Sequence, residues 1–153
     1  MKGVILARDT EYIVELLLEH GMINDDQLAA ARLEAEASAG EMDVVDAMKK
    51  LGYVRSDDLT AMLAQQYGME MLDLRSYEIP EEVIAALTPD IVTHYNVVPV
   101  MLHDDVLTVA MSDPTDLETI DSLRYYLGRD VDAVVSPAEQ IQAVIERHYR
   151  TAG

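Results

Sequence analysis

The chain has 153 residues, half of them hydrophobic, which is enough to bury a core in one domain or in two small ones. Its 29 acidic and 11 basic residues give a net charge of −18, so the surface repels nucleic acids and anionic lipid and favours a basic protein face. The lack of cysteine excludes disulfides, thiolate metal sites and a cysteine nucleophile. No apolar run reaches the roughly 18 residues that span a bilayer, and no signal peptide is evident. We therefore expect a cytoplasmic protein without direct membrane insertion, although the acidity has a second explanation in solubility alone.

Four helices are predicted in the first half of the chain. Each joins a periodic apolar stripe to a terminating glycine, which takes the left-handed turn that ends a helix. Polar N-caps are expected at Asn24 or Asp25 and at Ser56. The helices cover residues 10–20, 24–40, 42–52 and 56–68.

These helices form two copies of one unit. At a shift of 31 residues, Gly21 coincides with Gly52, Ile23 with Val54 and Leu28 with Leu59. Each copy runs helix, glycine, hydrophobic pair, polar cap, helix. Because a single hairpin of this kind cannot bury its apolar face alone, we expect the two copies to pack together.

The pattern changes after Gly68. Residues 69–74 are predicted to be extended, and short helices are expected at Pro80 and at Pro89, the second with Thr88 as its cap. Strands at 97–103 and 106–112 flank Asp104-Asp105 as a two-residue hairpin turn. A helix, a strand and a helix follow, at residues 116–128, 130–136 and 136–150.

The expected fold is α+β. Residues 1–68 form an N-terminal helical tandem-hairpin subdomain, packed on a small α/β sandwich of residues 69–153. The sandwich is expected to contain a three-stranded, mostly antiparallel sheet. Its last helix is expected to be capped by Ser136. The buried stripes of its two long helices are predicted to be Leu117, Ile120, Leu123 and Leu127, and Ile141, Val144, Ile145 and His148.

The Asp113-Pro114 pair has the composition of a functional site, but turn chemistry explains it. Proline cannot continue a central strand, and Asp or Thr then caps the next helix. We interpret the pair as the end of the hairpin, with Thr115 or Asp116 as the helix cap.

No catalytic constellation is found in the sequence. Phosphate-binding glycine loops and nucleophile elbows are missing. The four histidines, at 20, 94, 103 and 148, are too scattered for a zinc site, and the acidic loop at 112–122 lacks the glycine and spacing of a calcium loop. We predict no enzymatic activity, no catalytic residues and no metal, with a small hydrolase as the weakest alternative.

The second half resembles the N-terminal domain of the type II secretion and type IV pilus assembly ATPases. The resemblance rests on Pro89 and its short helix, on Val98-Pro99-Val100, on the stretch "LTVAMSDPTDL", on Gly128 and on the closing "IERHY". The upstream repeat, "LGYVRSDDLTAMLAQQYGMEMLDL" above all, is similar to the cyclic di-GMP-binding, MshE N-terminal type of this domain. The resemblance implies a docking and regulatory domain, here without the motor ATPase. The implied partner is an inner-membrane platform protein of the secretion or pilus system, or a motor ATPase.

The resemblance also implies where a cyclic dinucleotide binds. The motif positions present in this chain are Gly21, Leu28, Gly52, Leu59 and Gln66.

The motif departs from the family at its phosphate-binding positions. Where each copy begins R-L-G in the family, this chain has Tyr12-Ile13-Val14 and Asp43-Val44-Val45, and Ala35 replaces the first closing glutamine. Losing both arginines removes charge-assisted bonds to a phosphodiester, and Asp43 repels it. Arg8 and Arg32 could compensate only if the chain folds differently from the family. Two hypotheses therefore stand: a non-catalytic adaptor that binds a protein through an acidic helical face, and a cyclic di-GMP sensor.

Overall fold

The computed structural model describes residues 7–149, with side chains from residue 10 onward. This part of the chain forms eight α-helices, one short 3₁₀ helix and three β-strands. The protein divides into two compact units, Met1–Leu59 and Thr60–Gly153, which are described in turn. The domain boundary after Gly68 stays a prediction.

The first unit is helical, as predicted. Helix α2 packs against α3, and α1 also contacts α3. The side chains of Leu17, Ala31 and Met48 have no exposed surface and form the centre of the buried set. The helices are α1 (Ala7–Glu19), α2 (Asp25–Ala37), α3 (Val44–Lys50) and α4 (Ser56–Gln66), the last of which continues into the second unit.

Polar side chains fix where α2 and α3 begin. The Asn24 side chain accepts a hydrogen bond from the Gln27 N–H at 2.8 Å, and the Asn24 N–H donates to the Gln27 side chain at 3.0 Å. Asp43 and Asp46 make the same reciprocal pair at the start of α3. Such capping boxes satisfy backbone donors that the first helical turn leaves unpaired. The N-cap predicted at Asn24 or Asp25 is therefore Asn24.

The second unit combines short helices with a small sheet. Thr88 caps α6 as predicted, because its hydroxyl accepts from the Ile91 N–H at 3.3 Å. Asp116, not Thr115, caps α7 by accepting from the Thr119 N–H at 3.2 Å. The elements are a 3₁₀ helix (Leu74–Ser76), α5 (Glu81–Ile84), α6 (Pro89–Tyr95), β1 (Val98–His103), β2 (Val106–Met111), α7 (Leu117–Leu127), β3 (Asp130–Val135) and α8 (Ala138–His148).

The sheet has the strand order β1-β2-β3 and is mixed. Strands β1 and β2 are antiparallel and joined by the predicted two-residue turn, in which Asp104 and Asp105 both have positive φ, 51° and 73°. Strand β3 runs parallel to β2. The expectation of a mostly antiparallel sheet is corrected here, because α7 provides the crossover that a parallel neighbour requires.

Residues 70–72 extend the sheet beyond β3. Met71 forms an isolated parallel bridge with Val135. The Leu72 N–H donates to the Val135 carbonyl at 2.9 Å, and the Val135 N–H donates to the Glu70 carbonyl at 2.8 Å. The segment predicted to be extended thus pairs with the end of the last strand.

Three residues predicted for the last two helices have other roles. Leu117 is 67% exposed, because it is the first residue of α7 and lies outside the face formed by Ile120 and Leu123. His148 is exposed near the end of α8. The Ser136 hydroxyl does not cap α8 but donates to the Leu72 carbonyl at 2.7 Å.

The Asp113-Pro114 pair has the structural role predicted for it. The Asp113 carboxylate accepts from the Thr115 N–H at 3.0 Å and from the Thr115 hydroxyl at 2.6 Å. The Asp113 carbonyl accepts from the Asp116 N–H at 3.1 Å. This compact turn carries the chain from β2 to the cap of α7.

Candidate functional site

The two glycine turns of the repeat have the same backbone geometry. Gly21 and Gly52 lie in the left-handed region, with φ of 70° and 81°, and end α1 and α3. In the first copy, Gly21 N–H donates to the Leu18 carbonyl at 3.1 Å and Met22 N–H to that of Leu17 at 2.9 Å. The second copy repeats both bonds at the same lengths, from Gly52 and Tyr53 to Lys49 and Met48. The predicted repeat is therefore present in the hydrogen bonds as well as in the sequence.

The two motif leucines are also equivalent in their backbone contacts. The Leu28 N–H donates to the Asn24 carbonyl, and the Leu59 N–H donates to the Arg55 carbonyl, each at 3.0 Å. Leu28 is half-buried in α2, and Leu59 is buried in α4. Gln66, the last residue of α4, is exposed and belongs to the second unit. The structure thus places Gly21, Leu28, Gly52 and Leu59 in one helical unit.

Asp43 stands where the second copy of the family motif begins with arginine. It is half-buried, and its side chain accepts a hydrogen bond from the Asp46 N–H at 2.8 Å. Burial raises the pKa of Asp43, and the nearby Asp46 carboxylate adds to the effect. The side chain therefore serves as a helix cap and places a carboxyl group at the start of the second motif copy.

The apolar residues that follow these motif starts are buried. Ile13 and Val14 are 4% and 2% exposed, and Val44 and Val45 are 6% and 4% exposed. Tyr12, at the first motif start, is 41% exposed. Both copies therefore direct the same two positions into the core while the preceding residue differs.

In the described part of the first unit, Arg32, Lys50 and Arg55 form ion pairs with carboxylates of the same unit. Arg32 in α2 binds Glu11 in α1 through two bonds at 3.1 and 3.2 Å. Lys50 pairs with Glu34, and Arg55 lies 3.9 Å from Asp57. This pairing opposes the use of Arg32 as a replacement for a missing motif arginine, and the side chain of Arg8 lies outside the described residues. Sequence reasoning missed the Arg32–Glu11 pair, because the two residues are 21 positions apart on different helices.

Three glutamates form an exposed line along α1. Glu11, Glu15 and Glu19 follow one another at intervals of four residues, so they lie on the same face of the helix, and all three are exposed. We call this line the acidic stripe. It gives the predicted acidic helical face a definite location.

The described part of the chain presents no evident catalytic group. Between residues 7 and 149, no cluster of three or more histidine or carboxylate side chains could hold a metal ion. His103 contacts Asp104 at 3.2 Å, but both side chains are more than four-fifths exposed. No helix in the same range is both long and apolar enough to cross a membrane.

The fold, a helical repeat followed by a small mixed sheet, is similar to solved structures of N-terminal domains of secretion and pilus assembly ATPases. The structure of MshE with cdg (cyclic di-GMP) superposes with a TM-score of 0.71 at 25% identity, covering 90% of this chain and 98% of the other. The N-terminal domain of XpsE superposes with a TM-score of 0.66 at 29% identity, covering 90% and 93%. The chain belongs to the MshEN domain family, whose model matches residues 67–153.

The relatives with curated names are much longer proteins. The type IV pilus assembly ATPase PilB of Myxococcus xanthus is 29% identical over 91% of this chain, which corresponds to 24% of PilB. Type II secretion system protein E of Xanthomonas campestris pv. campestris is 30% identical over 90% of this chain and 24% of its own length. Bacteriophage adsorption protein B of Escherichia coli K12 is 28% identical over 94% of this chain and 19% of its length. The chain therefore spans about a quarter or less of these relatives.

Proposed function

We propose that this protein is a cytoplasmic, non-catalytic docking and regulatory domain of a secretion or pilus assembly system. Its partner is an inner-membrane platform protein of that system or a motor ATPase. The observation that carries the proposal is the match to the N-terminal domains of MshE and XpsE over nine-tenths of this chain and nearly all of theirs. The kind of system, secretion or pilus assembly, is inferred from the names of the relatives.

The acidic stripe supports a basic partner surface. Three carboxylates in a line, on a chain with a net charge of −18, attract Lys and Arg and steer association. Glu11 is already held by Arg32, whereas no ion pair among the described residues holds Glu15 or Glu19, so these two are the members of the stripe offered to a partner's cations. We therefore expect binding to weaken with increasing salt.

Charge reversal tests this docking mode. The cytoplasmic domain of the platform protein encoded in the same locus is titrated into the purified chain by calorimetry. Glu15→Lys with Glu19→Lys is expected to weaken binding by at least about tenfold and to flatten its salt dependence. The control is Glu81→Lys with Glu82→Lys, which makes the same charge change on α5 in the second unit. Unchanged affinity in the stripe variant, or no binding by the unaltered chain at micromolar concentration, would contradict the proposal.

Cyclic di-GMP binding is the second candidate function. It is supported by the superposition on MshE with cdg and by the repeated glycine turns, and its site would use Gly21, Leu28, Gly52, Leu59 and Gln66. Against it stand Asp43 at a position that needs a cation and Arg32 committed to Glu11. Apart from this dinucleotide we propose no cofactor.

Calorimetric titration with cyclic di-GMP separates the two functions. We expect no saturable heat up to millimolar ligand for the natural sequence. Tyr12→Arg with Asp43→Arg restores the family cations and is expected to introduce measurable binding, because a guanidinium binds phosphate bidentately. Tight one-to-one binding by the natural sequence would make the sensor the primary function.

A further inference from the structure

The exposed apolar surface of the protein is concentrated on α7. Of the large hydrophobic side chains in the described residues, four are more than 60% exposed, and three of these lie on this helix: Leu117 at 67%, Tyr125 at 86% and Tyr126 at 65%. Burying a tyrosine is favourable, so two largely exposed tyrosines side by side need a reason. These α7 residues belong neither to the helical repeat nor to the acidic stripe.

The tyrosines of α7 continue into an aromatic row on α6. Tyr125 and Tyr126 meet at ring centroids 6.0 Å apart, Tyr126 and Tyr95 at 6.4 Å, and Tyr95 and His94 at 4.6 Å. Three of the four rings in these contacts are tyrosines. The ring planes of each pair meet at angles of 53° to 89°, so no pair is stacked face to face. We call His94, Tyr95, Tyr125 and Tyr126 the aromatic row. Exposed ring faces of this kind attract cations.

Carboxylates precede Tyr125 and Tyr126 along the chain. From Asp113 to Asp121 the sequence carries four acids and no lysine or arginine. Glu118 and Asp121 of α7 are exposed, and Asp121 lies one helical turn before Tyr125. Arg124 neutralises part of this charge, because it binds Asp121 at 3.0 Å. The helix thus presents carboxylates at its start and tyrosine rings at its end.

We propose that α7 and the aromatic row form a second docking surface, which binds a cationic segment of the partner protein. An arginine of the partner stacks on Tyr125 and Tyr126, and a further basic side chain faces Glu118, since Asp121 is already bound by Arg124. Arginine suits both halves, since its guanidinium stacks on aromatic faces and pairs with carboxylates. This inference rests on the proposed docking function and adds a contact in the second unit to the one proposed for the acidic stripe.

The test uses the same platform-domain titration with tyrosine variants. Tyr125→Ser with Tyr126→Ser is expected to weaken binding by at least about tenfold, as is typical of central aromatic contacts. Tyr125→Phe with Tyr126→Phe keeps the ring faces and is expected to bind as the natural sequence does. The matched control, Met101→Thr, removes an exposed apolar side chain from β1, where Met101 is 49% exposed. Circular dichroism melts establish that each variant is folded.

The outcomes separate this inference from the proposed function. If the natural chain binds and the serine variant binds equally well, the α7 surface is overturned while the docking function stands. If the natural chain does not bind, the docking function itself fails, and this inference fails with it. Glu118→Gln should also reduce the salt dependence of binding, and an unchanged salt dependence would overturn the cationic nature of the segment.

Discussion

The guanidinium of Arg32 donates two hydrogen bonds to the carboxylate of Glu11, at 3.1 and 3.2 Å, and so joins α2 to α1. This hydrogen-bonded pair lowers the pKa of Glu11 and raises that of Arg32. The geometry is bidentate, with two parallel bonds from the guanidinium to the carboxylate, which a lysine could not form. The cation that could have met a phosphate is thereby used within the helical unit.

Glu11→Gln is expected to destabilise the helical unit only slightly. The pair is about half exposed, so its loss should cost about 0.5 kcal/mol at neutral pH. Because the folded pKa of Glu11 is lowered, its contribution is present above the unfolded pKa and disappears as the pH falls through the folded one. Urea denaturation across this range checks the result. Glu15→Gln, with the same charge change and no bond to Arg32, should lack the pH-dependent difference.

Asp43→Asn is expected to stabilise the protein at neutral pH. Asparagine keeps the oxygen that caps α3, whereas the natural carboxylate is charged in a half-buried place. Since burial raises the folded pKa of Asp43, its contribution is fully present below the unfolded pKa and is lost as the pH rises through the folded one. Asp43→Ala removes the cap and should cost about 1 kcal/mol. Thermal melts between acidic and neutral pH test both, and a less stable Asn variant at neutral pH would contradict the assignment.

Gly21→Ala and Gly52→Ala should each destabilise the fold by about 1 kcal/mol. A Cβ would meet no atom within 4 Å at either position, so the cost comes from the left-handed backbone and not from crowding. Asparagine tolerates this conformation better, and the Gly→Asn variants should lose less. Equal losses at the two positions, measured by chemical denaturation, are expected from their matching hydrogen bonds. A loss of stability at one position alone would show that the two copies of the repeat are not energetically equivalent.

The hairpin turn between β1 and β2 offers a stabilising substitution. Asp104 and Asp105 both adopt positive φ, which favours Asn-Gly in a two-residue turn. Asp104→Asn with Asp105→Gly is expected to raise stability by about 0.5 to 1 kcal/mol. Asp105→Ala provides the contrast, since alanine is strained at positive φ and should destabilise the protein. Differential scanning calorimetry distinguishes the two results.

Local patterns predicted most of the elements. Glycines at helix ends and polar caps such as Asn24 and Thr88 are signals between neighbours in sequence, and the structure confirms them. The 31-residue repeat was visible for the same reason, because the residues at its turns have narrow conformational requirements.

Features that depend on distant contacts could not be predicted in this way. Ser136 has the sequence context of a helix cap, but its hydroxyl reaches Leu72, 64 positions away. The parallel pairing of β3 depends on where α7 packs, which periodicity does not report. For the candidate site, the sequence identified the missing arginines, whereas the commitment of Arg32 to Glu11 required the three-dimensional arrangement of two helices.

The bridge between Met71 and Val135 has a consequence for biosynthesis. A nascent chain leaving the ribosome can pack its first three helices early, because α3 contacts both α1 and α2, and α3 ends at Lys50. Residues 70–72, by contrast, can pair with β3 only after β3 has emerged. The Leu74 N–H donates to the side chain of Gln140, 66 positions later, so this bond also forms late. Chaperone binding during translation is therefore expected to concentrate on this late-pairing segment and on the apolar strands β1 and β2.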